Sequence, residues 1–195
     1  MAHSACTELS AVQRRAALQL ARAAITAHLA GAPPPSVPAE LQSLQTSGLF
    51  VTLEKNGALR GCIGIIENAG SLGEALCEYA VAAACRDPRF PAVSSAELPA
   101  LEIGVSLLQP PRPMTVASRA DLLRQLEPGV DGLVIEEGRH RATFLPQVWE
   151  QLPVAEDFLG RLLQKAGLPE DYWSPRLRFS RYRSDSFTEA DTPAP

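Results

Sequence analysis

The dipeptide Asn56-Gly57, set between two β-rich runs, constrains the fold of this chain more than any other feature of the sequence. Both residue types tolerate a positive φ, and an Asn-Gly turn between apolar runs is the strongest short-range signal of a β-hairpin. The first run spans 49–54 and the return run spans 58–66. We therefore predict an antiparallel hairpin with Lys55, Asn56 and Gly57 at its turn.

The return strand contains the segment LRGCIG at positions 59–64. Side chains alternate between the two faces of a strand, so Arg60, Cys62 and Gly64 are expected on one face. A nearby cation favours thiolate over thiol, which makes Cys62 a candidate nucleophile and Arg60 a candidate ligand for an anionic group. Gly61 and Gly64 weaken a strand interior, so we expect a ligand to approach the backbone there. The alternative is that Cys62 is a small buried core residue.

Two helices are predicted in the first half of the chain. Ser10 and Ser71 each precede a Gln or Glu by three residues, which is the capping-box pattern at a helix start. The first helix is expected to end at Gly31 and the second near Cys85. Residues 32–39 contain four prolines and are predicted to form an extended connector.

The second half of the chain adds more strands than helices. An alternating strand is predicted at 101–107, a second hairpin at 133–136 and 140–145, and a last strand at 176–187. Helices and strands do not alternate one for one, which argues against a parallel doubly wound fold. The sequence therefore predicts an α+β fold with a mainly antiparallel sheet and flanking helices.

The segment Asp-Pro-Arg-Phe-Pro at 87–91 ends the second predicted helix, because proline lacks an amide donor and restricts the residue before it. We interpret it as a rigid turn in which Phe90 is buried as an anchor and Arg89 is largely structural. The alternative is that Asp87 or Arg89 lines the site near Cys62.

Two further residues are weaker candidates for chemistry. His140 begins the return arm of the second hairpin, and a Cys–His pair is the usual way to activate a thiol. A residue at a hairpin tip more commonly faces solvent, and both possibilities stay open for His140. Glu102, on the outer side of its strand, is a candidate general base. Three scattered histidines without an H-x-x-x-H pattern predict no dedicated metal site.

The charge balance bears on the choice of partner. With a net charge of −4, the chain has no overall field that favours nucleic acid or an anionic membrane. Arginines interleave with Phe179 and Tyr182 in a pattern that suits single-stranded nucleic acid. Acidic residues at 185, 189 and 191 follow at once, so we do not expect nucleic-acid binding.

Cysteine usage predicts a reducing compartment. The four cysteines form no C-x-x-C pair. Cys77 and Cys85 lie on one predicted helix about 12 Å apart, too far for a disulfide. No apolar stretch reaches membrane-spanning length, and no charged and apolar signal-peptide pattern opens the sequence. We therefore expect reduced thiols, no membrane association and a cytoplasmic location.

LRGCIG and the blocks after it resemble the AMMECR1 domain family, and are most similar to its bacterial branch called AmmeMemoRadiSam system protein A. The later blocks, in family order, are DPRFP (87–91), ELPALEI (97–103), DGL (131–133), LPQV (145–148) and KAGL (165–168). One departure is Gly104, where family members tend to carry a larger residue. The resemblance covers about residues 10–189, which implies a domain there, with a flexible tail at 1–9 and another at 190–195.

The resemblance implies a fold with a larger and a smaller subdomain and a cleft beside the signature strand. It implies no settled activity and no known cofactor. Relatives are encoded beside, or fused to, Memo-like and radical SAM proteins, which makes these the expected partners. Two functions follow as hypotheses. One is an enzyme or accessory enzyme that uses Cys62 on a small molecule. The other is a non-catalytic module that binds a protein or ligand.

Overall fold

A computed structural model describes residues 9–192 of the chain. The α+β fold class is confirmed: the chain forms two compact units, each with helices and an antiparallel sheet. The first unit contains the chain up to residue 109 and again from 185, and the second contains 110–184. The predicted tail at 1–9 lies outside the described residues except for Leu9, which is buried in the core of the first unit rather than loose.

The elements of the described chain follow one another in this order. The helices are α1 (Ala11–Leu29), α2 (Ala39–Gln42), α3 (Leu72–Cys85), α4 (Arg119–Gln125) and α5 (Ala155–Lys165). The strands are β1 (Gln45–Thr46), β2 (Gly48–Lys55), β3 (Ala58–Ile65), β4 (Gly70–Ser71), β5 (Leu101–Leu108), β6 (Arg112–Met114), β7 (Gly132–Glu137), β8 (His140–Phe144), β9 (Arg178–Tyr182) and β10 (Ser184–Thr188). Short 3-10 helices span Leu98–Ala100 and Pro146–Glu150.

Local signals determine the ends of the first long helices. The Ser10 hydroxyl accepts from the backbone N–H of Gln13, and the Gln13 side chain accepts from the backbone N–H of Ser10 at 2.9 Å. This confirms the capping box that opens α1, and Gly31, at φ +66°, follows its end. The Ser71 hydroxyl caps α3 by accepting from the backbone N–H of Glu74.

The first hairpin forms as predicted, with one irregularity. Asn56 and Gly57 have φ values of 53° and 74°, as a two-residue turn with right-handed strand twist requires. Lys55 pairs with Ala58 across the turn, but the register then shifts between Leu53 and Glu54, where β3 contains one additional, unpaired residue. The extra residue is Arg60, which makes this a β-bulge beside the signature segment.

The sheet of the first unit has the strand order β10-β5-β2-β3. One face packs against α1 and α3 in a continuous apolar core. The fully buried members of that core include Leu49, Val51, Leu53, Leu76, Ile103, Ile25 and Phe187. Each such side chain contributes about 1.5–3 kcal/mol through its removal from water, so the core holds β2 and β3 firmly in place.

The sheet of the second unit has the order β6-β9-β7-β8. Helix α5 supplies Phe158 to its core, and this ring stacks on Trp149 with centroids 3.8 Å apart. The Trp149 indole donates to the carbonyl oxygen of Asp131 at 2.7 Å, which satisfies its only polar atom. This core fixes the base of the β7–β8 hairpin.

Each unit has its own four-stranded sheet, and one strand prediction is wrong. The single strand predicted at 176–187 is two strands, of which β9 pairs with β7 and β10 lies beside β5. The physical reason is that its aromatic residues serve different cores: Phe179 is buried in the second unit, and Phe187 is buried in the first.

Across residues 9–192, none of the helices combines the length and apolar character that crossing a membrane would require.

Candidate functional site

The signature cysteine lies on β3, which is the edge strand of its sheet. The Cys62 backbone N–H donates to Asp87 Oδ2 at 2.9 Å, and Arg89 Nη2 donates to the Cys62 carbonyl oxygen at 3.2 Å. An edge strand otherwise leaves such groups unpaired. The Asp87–Arg89 pair therefore takes the place of a neighbouring strand at this point.

Asp87 and Arg89 are held together within the tight turn that follows α3. Arg89 donates from Nε and Nη2 to the two carboxylate oxygens, at 2.9 and 2.6 Å. The Asp87 side chain is only 2% exposed. The Arg89 guanidinium, assisted by backbone N–H groups, holds the pKa of Asp87 well below its usual range. The backbone N–H of Phe90 donates to the Asp87 carbonyl at 3.2 Å, which confirms the predicted turn.

Phe90 departs from its prediction, because it is half-buried rather than buried. Two cations lie close to its ring: the guanidinium carbons of Arg60 and Arg89 are 5.8 and 5.5 Å from its centroid. A cation–π contact of this kind needs a ring that charged groups can reach. Phe90 therefore joins the cluster around Cys62 rather than anchoring the apolar core.

The Cys62 sulfur accepts a hydrogen bond from the Thr52 hydroxyl across the hairpin, at 3.2 Å. Burial raises the pKa of the Cys62 thiol above its ordinary value, and Asp87 adds to that rise. The Thr52 hydroxyl and the charge of Arg89 act in the opposite direction but are outweighed. The net shift is therefore opposite to the one expected for a cation-activated thiol, although the charge of Arg89 itself acts in the expected direction. A role for Cys62 as a nucleophile stays a prediction.

Arg60 pairs with Glu97 and not with the Cys62 sulfur. Its Nε and Nη2 donate to the two oxygens of Glu97, each at 3.0 Å, and Lys55 Nζ donates to the same carboxylate at 3.0 Å. These two cations lower the pKa of Glu97 to about 2. Glu97 is a residue that sequence reasoning missed, because no spacing rule connects it to a strand 37 residues earlier. Its only signal was its position at the start of the ELPALEI block.

The two signature glycines are explained by packing within the protein. A Cβ at Gly61 would collide with the carbonyl oxygen of Ala83 in α3. A Cβ at Gly64 would lie 2.5 Å from Cγ of Phe50 and would also collide with the carbonyl oxygen of Leu49. The approach that we expected from a ligand is thus made by α3 and by Phe50. A ligand-binding role for either glycine stays a prediction.

The sheet face that carries Cys62 has small residues in one row. Thr52 pairs with Cys62 on one side and with Gly104 on the other. A Cβ at Gly104 would meet Thr188 Cγ2 at 3.5 Å, which is an ordinary contact. This glycine, at the position where the sequence departs from the family pattern, leaves space beside the Thr52–Cys62 pair.

Glu102 lies on the same strand as Gly104, two residues before it. Its Oε1 accepts from the backbone N–H of Ala190 at 3.4 Å, and its partner across the sheet is Glu54. The row of Cys62 runs through Gly104 and not through Glu102. A role for Glu102 as a general base stays a prediction.

His140 belongs to the second unit, at the start of β8. Its Nδ1 is 2.9 Å from the carbonyl oxygen of Ala166. A carbonyl oxygen only accepts, so Nδ1 carries the hydrogen, and Nε2 is the acceptor in the neutral ring. The histidine also lines a cavity of about 910 Å³ within that unit. Activation of Cys62 by His140 stays a prediction.

The interleaved basic and aromatic residues near the chain end have structural partners. Arg176 pairs with Glu137 at 2.9 Å, and Arg183 pairs with Glu127 at 3.0 Å. Phe179 and Tyr182 are buried, and burial raises the pKa of Tyr182 to about 12. These two rings are therefore not presented for stacking on bases.

Within the described chain, no group of three or more His, Cys, Asp or Glu side chains is arranged to hold a metal ion. Cys62, Cys77 and Cys85 are free thiols, as predicted. Cys6 lies outside the described residues.

Known proteins are similar to this chain in sequence, and a solved structure is similar to it in fold. The AMMECR1 family model matches residues 18–187. A protein of Methanothermobacter thermautotrophicus is 43% identical over 189 residues, covering 93% of this chain and 96% of its own. A protein of Thermofilum pendens is 36% identical over 201 residues, covering 93% and 92%. The crystal structure of an uncharacterized protein from Pyrococcus horikoshii has a TM-score of 0.84 at 32% identity, covering 97% of both chains. These relatives are archaeal. The chain belongs to the AMMECR1 family.

Proposed function

We propose that this protein is a non-catalytic binding module, in which the LRGCIG strand is a rigid floor for a ligand or a partner protein. One observation carries the proposal: the thiol of Cys62 has a raised pKa while the nearby cations are already paired, Arg60 with Glu97 and Arg89 with Asp87. A catalytic cysteine needs the opposite, a lowered pKa or an adjacent base.

Arg89 offers the point at which an anionic group can bind this face. Its side chain is 53% exposed, and its Nη1 makes no hydrogen bond with a described residue. Asp87 fixes the guanidinium in one orientation, so a carboxylate or phosphate meets a preorganised donor. Gly104 lies in the same row as Cys62, where a Cβ would make only ordinary contacts.

Memo-like and radical SAM proteins are the partners that we propose. The support is the resemblance of LRGCIG and the later blocks to the bacterial branch called AmmeMemoRadiSam system protein A. Because the relatives described above are archaeal, this support comes from the motifs alone. The cytoplasm is the proposed compartment, because the sequence has four cysteines and no C-x-x-C pair.

Alkylation by iodoacetamide as a function of pH tests the proposal. Modification at Cys62 is followed by peptide mass spectrometry, with Cys77, another thiol whose pKa burial raises, as an internal control. We expect Cys62 to react with an apparent pKa above that of an unperturbed cysteine thiol, which is about 8.5. Cys62→Ala should keep its fold and its ligand.

A second candidate function has one observation in its favour. The hydrogen bond from Thr52 to the sulfur and the charge of Arg89 both favour the thiolate. In an enzyme that uses Cys62 on a small molecule, the Cys62 thiol would then show an apparent pKa clearly below that of an unperturbed cysteine. Its alkylation at neutral pH would be faster than that of a cysteine in a free peptide. That result would contradict the binding-module proposal.

A further inference from the structure

The second unit contains a cavity that the proposed function does not use. Its volume is about 910 Å³, in the upper part of the range of about 300–1,000 Å³ that small-molecule sites occupy. The turn between β7 and β8, the start of β9 and the loop after α5 form its walls. Its polar lining is Glu136, Glu137, Arg139, His140, Tyr172 and the arginines at 176 and 178.

The charges of this lining do not cancel. Arg176 pairs with Glu137, and the other acid of the lining, Glu136, pairs with Arg141 at 2.9 Å. Arg139 and Arg178 form no ion pair or hydrogen bond with a described residue. Two arginines without an ion pair in the described chain therefore line one cavity in a protein whose net charge is −4, although Glu136 lies opposite Arg178 in the strand register. Guanidinium groups bind phosphate and carboxylate oxygens in a fork geometry, which predicts an anionic ligand.

Glu137 gives an independent sign that a ligand belongs here. Its side chain is only 9% exposed, although it lines the cavity. One oxygen, Oε1, accepts from Arg176 Nε at 2.9 Å, from the Tyr172 hydroxyl at 3.2 Å and from Ser174 at 3.3 Å. The other, Oε2, is buried and has no hydrogen-bond partner among the described residues. A buried carboxylate oxygen without a donor is costly, so we expect a ligand hydroxyl or amino group to supply one.

The remaining walls restrict the shape of the ligand. Tyr172, Leu168 and Pro175 provide apolar surface on which a ring can lie. His140, held through Nδ1 by the Ala166 carbonyl, keeps Nε2 for a polar group. We propose that this cavity binds a phosphate monoester whose other end is a ring with a hydroxyl or amino group. Arg139 and Arg178 hold the phosphate, and Glu137 accepts from the ring substituent.

This inference goes beyond the proposed function and does not depend on it, because every residue that carries it lies in 110–184. Titration calorimetry on the full chain tests it with five probes: AMP, ribose 5-phosphate, inorganic phosphate, adenosine and succinate. We expect AMP to bind and adenosine to bind at least about tenfold more weakly. Added salt should weaken the binding of AMP.

Variants locate the site. Arg139→Ala and Arg178→Ala should each weaken the binding of AMP by about tenfold or more, since each removes a charge-assisted contact. Arg178→Lys should restore part of the loss, because it keeps the charge without the fork. Arg124→Ala is the matched control, an arginine of the same unit that is 71% exposed and pairs only with Asp121. It should bind AMP like the wild type.

Three results would overturn the inference. The first is no binding heat with any phosphate probe. The second is an AMP affinity that both arginine variants leave within about twofold of the wild type, provided that tryptophan fluorescence shows them folded. The third is succinate binding as tightly as AMP, which would replace the phosphate monoester by any dianion. Cys62 alkylation measured on the same samples reports on the proposed function separately.

Discussion

The arginines around Cys62 and the arginines that line the cavity of the second unit differ in whether they have carboxylate partners. Around Cys62, each arginine has a carboxylate at hydrogen-bond distance: Arg60 holds Glu97, and Arg89 holds Asp87. Around the cavity of the second unit, Arg139 and Arg178 have no such partner within residues 9–192. In the cluster that bears the sequence signature, each guanidinium thus has a carboxylate partner, although Nη1 of Arg60 is buried without a hydrogen-bond partner among the described residues. The cluster without a signature leaves two arginines without a carboxylate partner in the described chain. A motif can therefore mark the residues that hold a fold together rather than those that perform chemistry.

The difference has an energetic meaning. A buried carboxylate that collects guanidinium and amide donors stabilises the native state, and loss of one partner leaves a charge uncompensated. Uncompensated like charges contribute nothing to stability, and natural proteins keep such arrangements mainly where they bind something. The comparison predicts large stability effects for changes near Cys62 and small ones around the cavity.

The largest effect is expected from Gly61→Ala. A Cβ there would collide with the Ala83 carbonyl oxygen of α3, and a backbone atom gives way poorly. We expect the free energy of unfolding to fall by about 3 kcal/mol. Because Trp149 and Trp173 both lie in the second unit, the first unit is followed by far-ultraviolet circular dichroism in urea.

Gly104→Ala is the matched control on the same sheet. Its Cβ would meet Thr188 at an ordinary 3.5 Å, so this variant should equal the wild type or gain about 0.5–1 kcal/mol. Equal melting of the two variants would mean that α3 does not pack on the signature strand as closely as described.

Asp87→Asn tests the pair that closes the edge strand. The amide keeps the size of the carboxylate but loses the charge that holds Arg89, so we expect a loss of about 2–3 kcal/mol at neutral pH. Because the folded state depresses the pKa of Asp87, its contribution is complete above the unfolded value of about 3.9 and is lost as pH falls further. Wild type and variant should therefore converge in acid, and a gap that is constant down to pH 2 would contradict the ion-pair argument.

Local signals explain which parts of this fold were predictable from sequence. The Asn56-Gly57 turn, the caps at Ser10 and Ser71 and the α+β class depend on residues within a few positions of each other. Such short-range preferences survive in the folded chain when the core agrees with them. The same holds for the turn that begins at Asp87.

The candidate site was less predictable, because one bulge changes which side chains are partners. Strict alternation places Arg60 and Cys62 on one face, within reach of each other. The register shift makes Arg60 the extra residue, and its guanidinium pairs with Glu97 from a distant segment. Thr52 then faces Cys62 instead of Gly61, the residue that an unbroken register would have given it. Neither the bulge nor the cavity, whose walls come from two separate stretches of the chain, has a short-range signal.

Glu97→Gln should have an intermediate effect with a defined pH window. The folded pKa of about 2 lies below the ordinary value of 4.5, so Glu97 stabilises the protein above pH 4.5 and loses this contribution as pH falls toward 2. We expect about 1–2 kcal/mol at neutral pH, less than the full shift implies, because Lys55 is 42% exposed and water screens its charge. Urea unfolding of both proteins across that window checks it, and an unchanged pH profile would show that Arg60 is held by other contacts.

Arg178→Ala should have the smallest effect on stability and so completes the contrast. The wild-type side chain is exposed and has no described partner, so its removal breaks no ion pair. It also removes a positive charge from a lining that already contains Arg139 and Arg176, which reduces repulsion. We expect a change within about 0.5 kcal/mol, with any shift toward higher stability and strongest at low salt. Tryptophan fluorescence in urea reports on this unit directly. A loss above about 1 kcal/mol would mean that Arg178 supports the fold, and the two clusters would then not differ in kind.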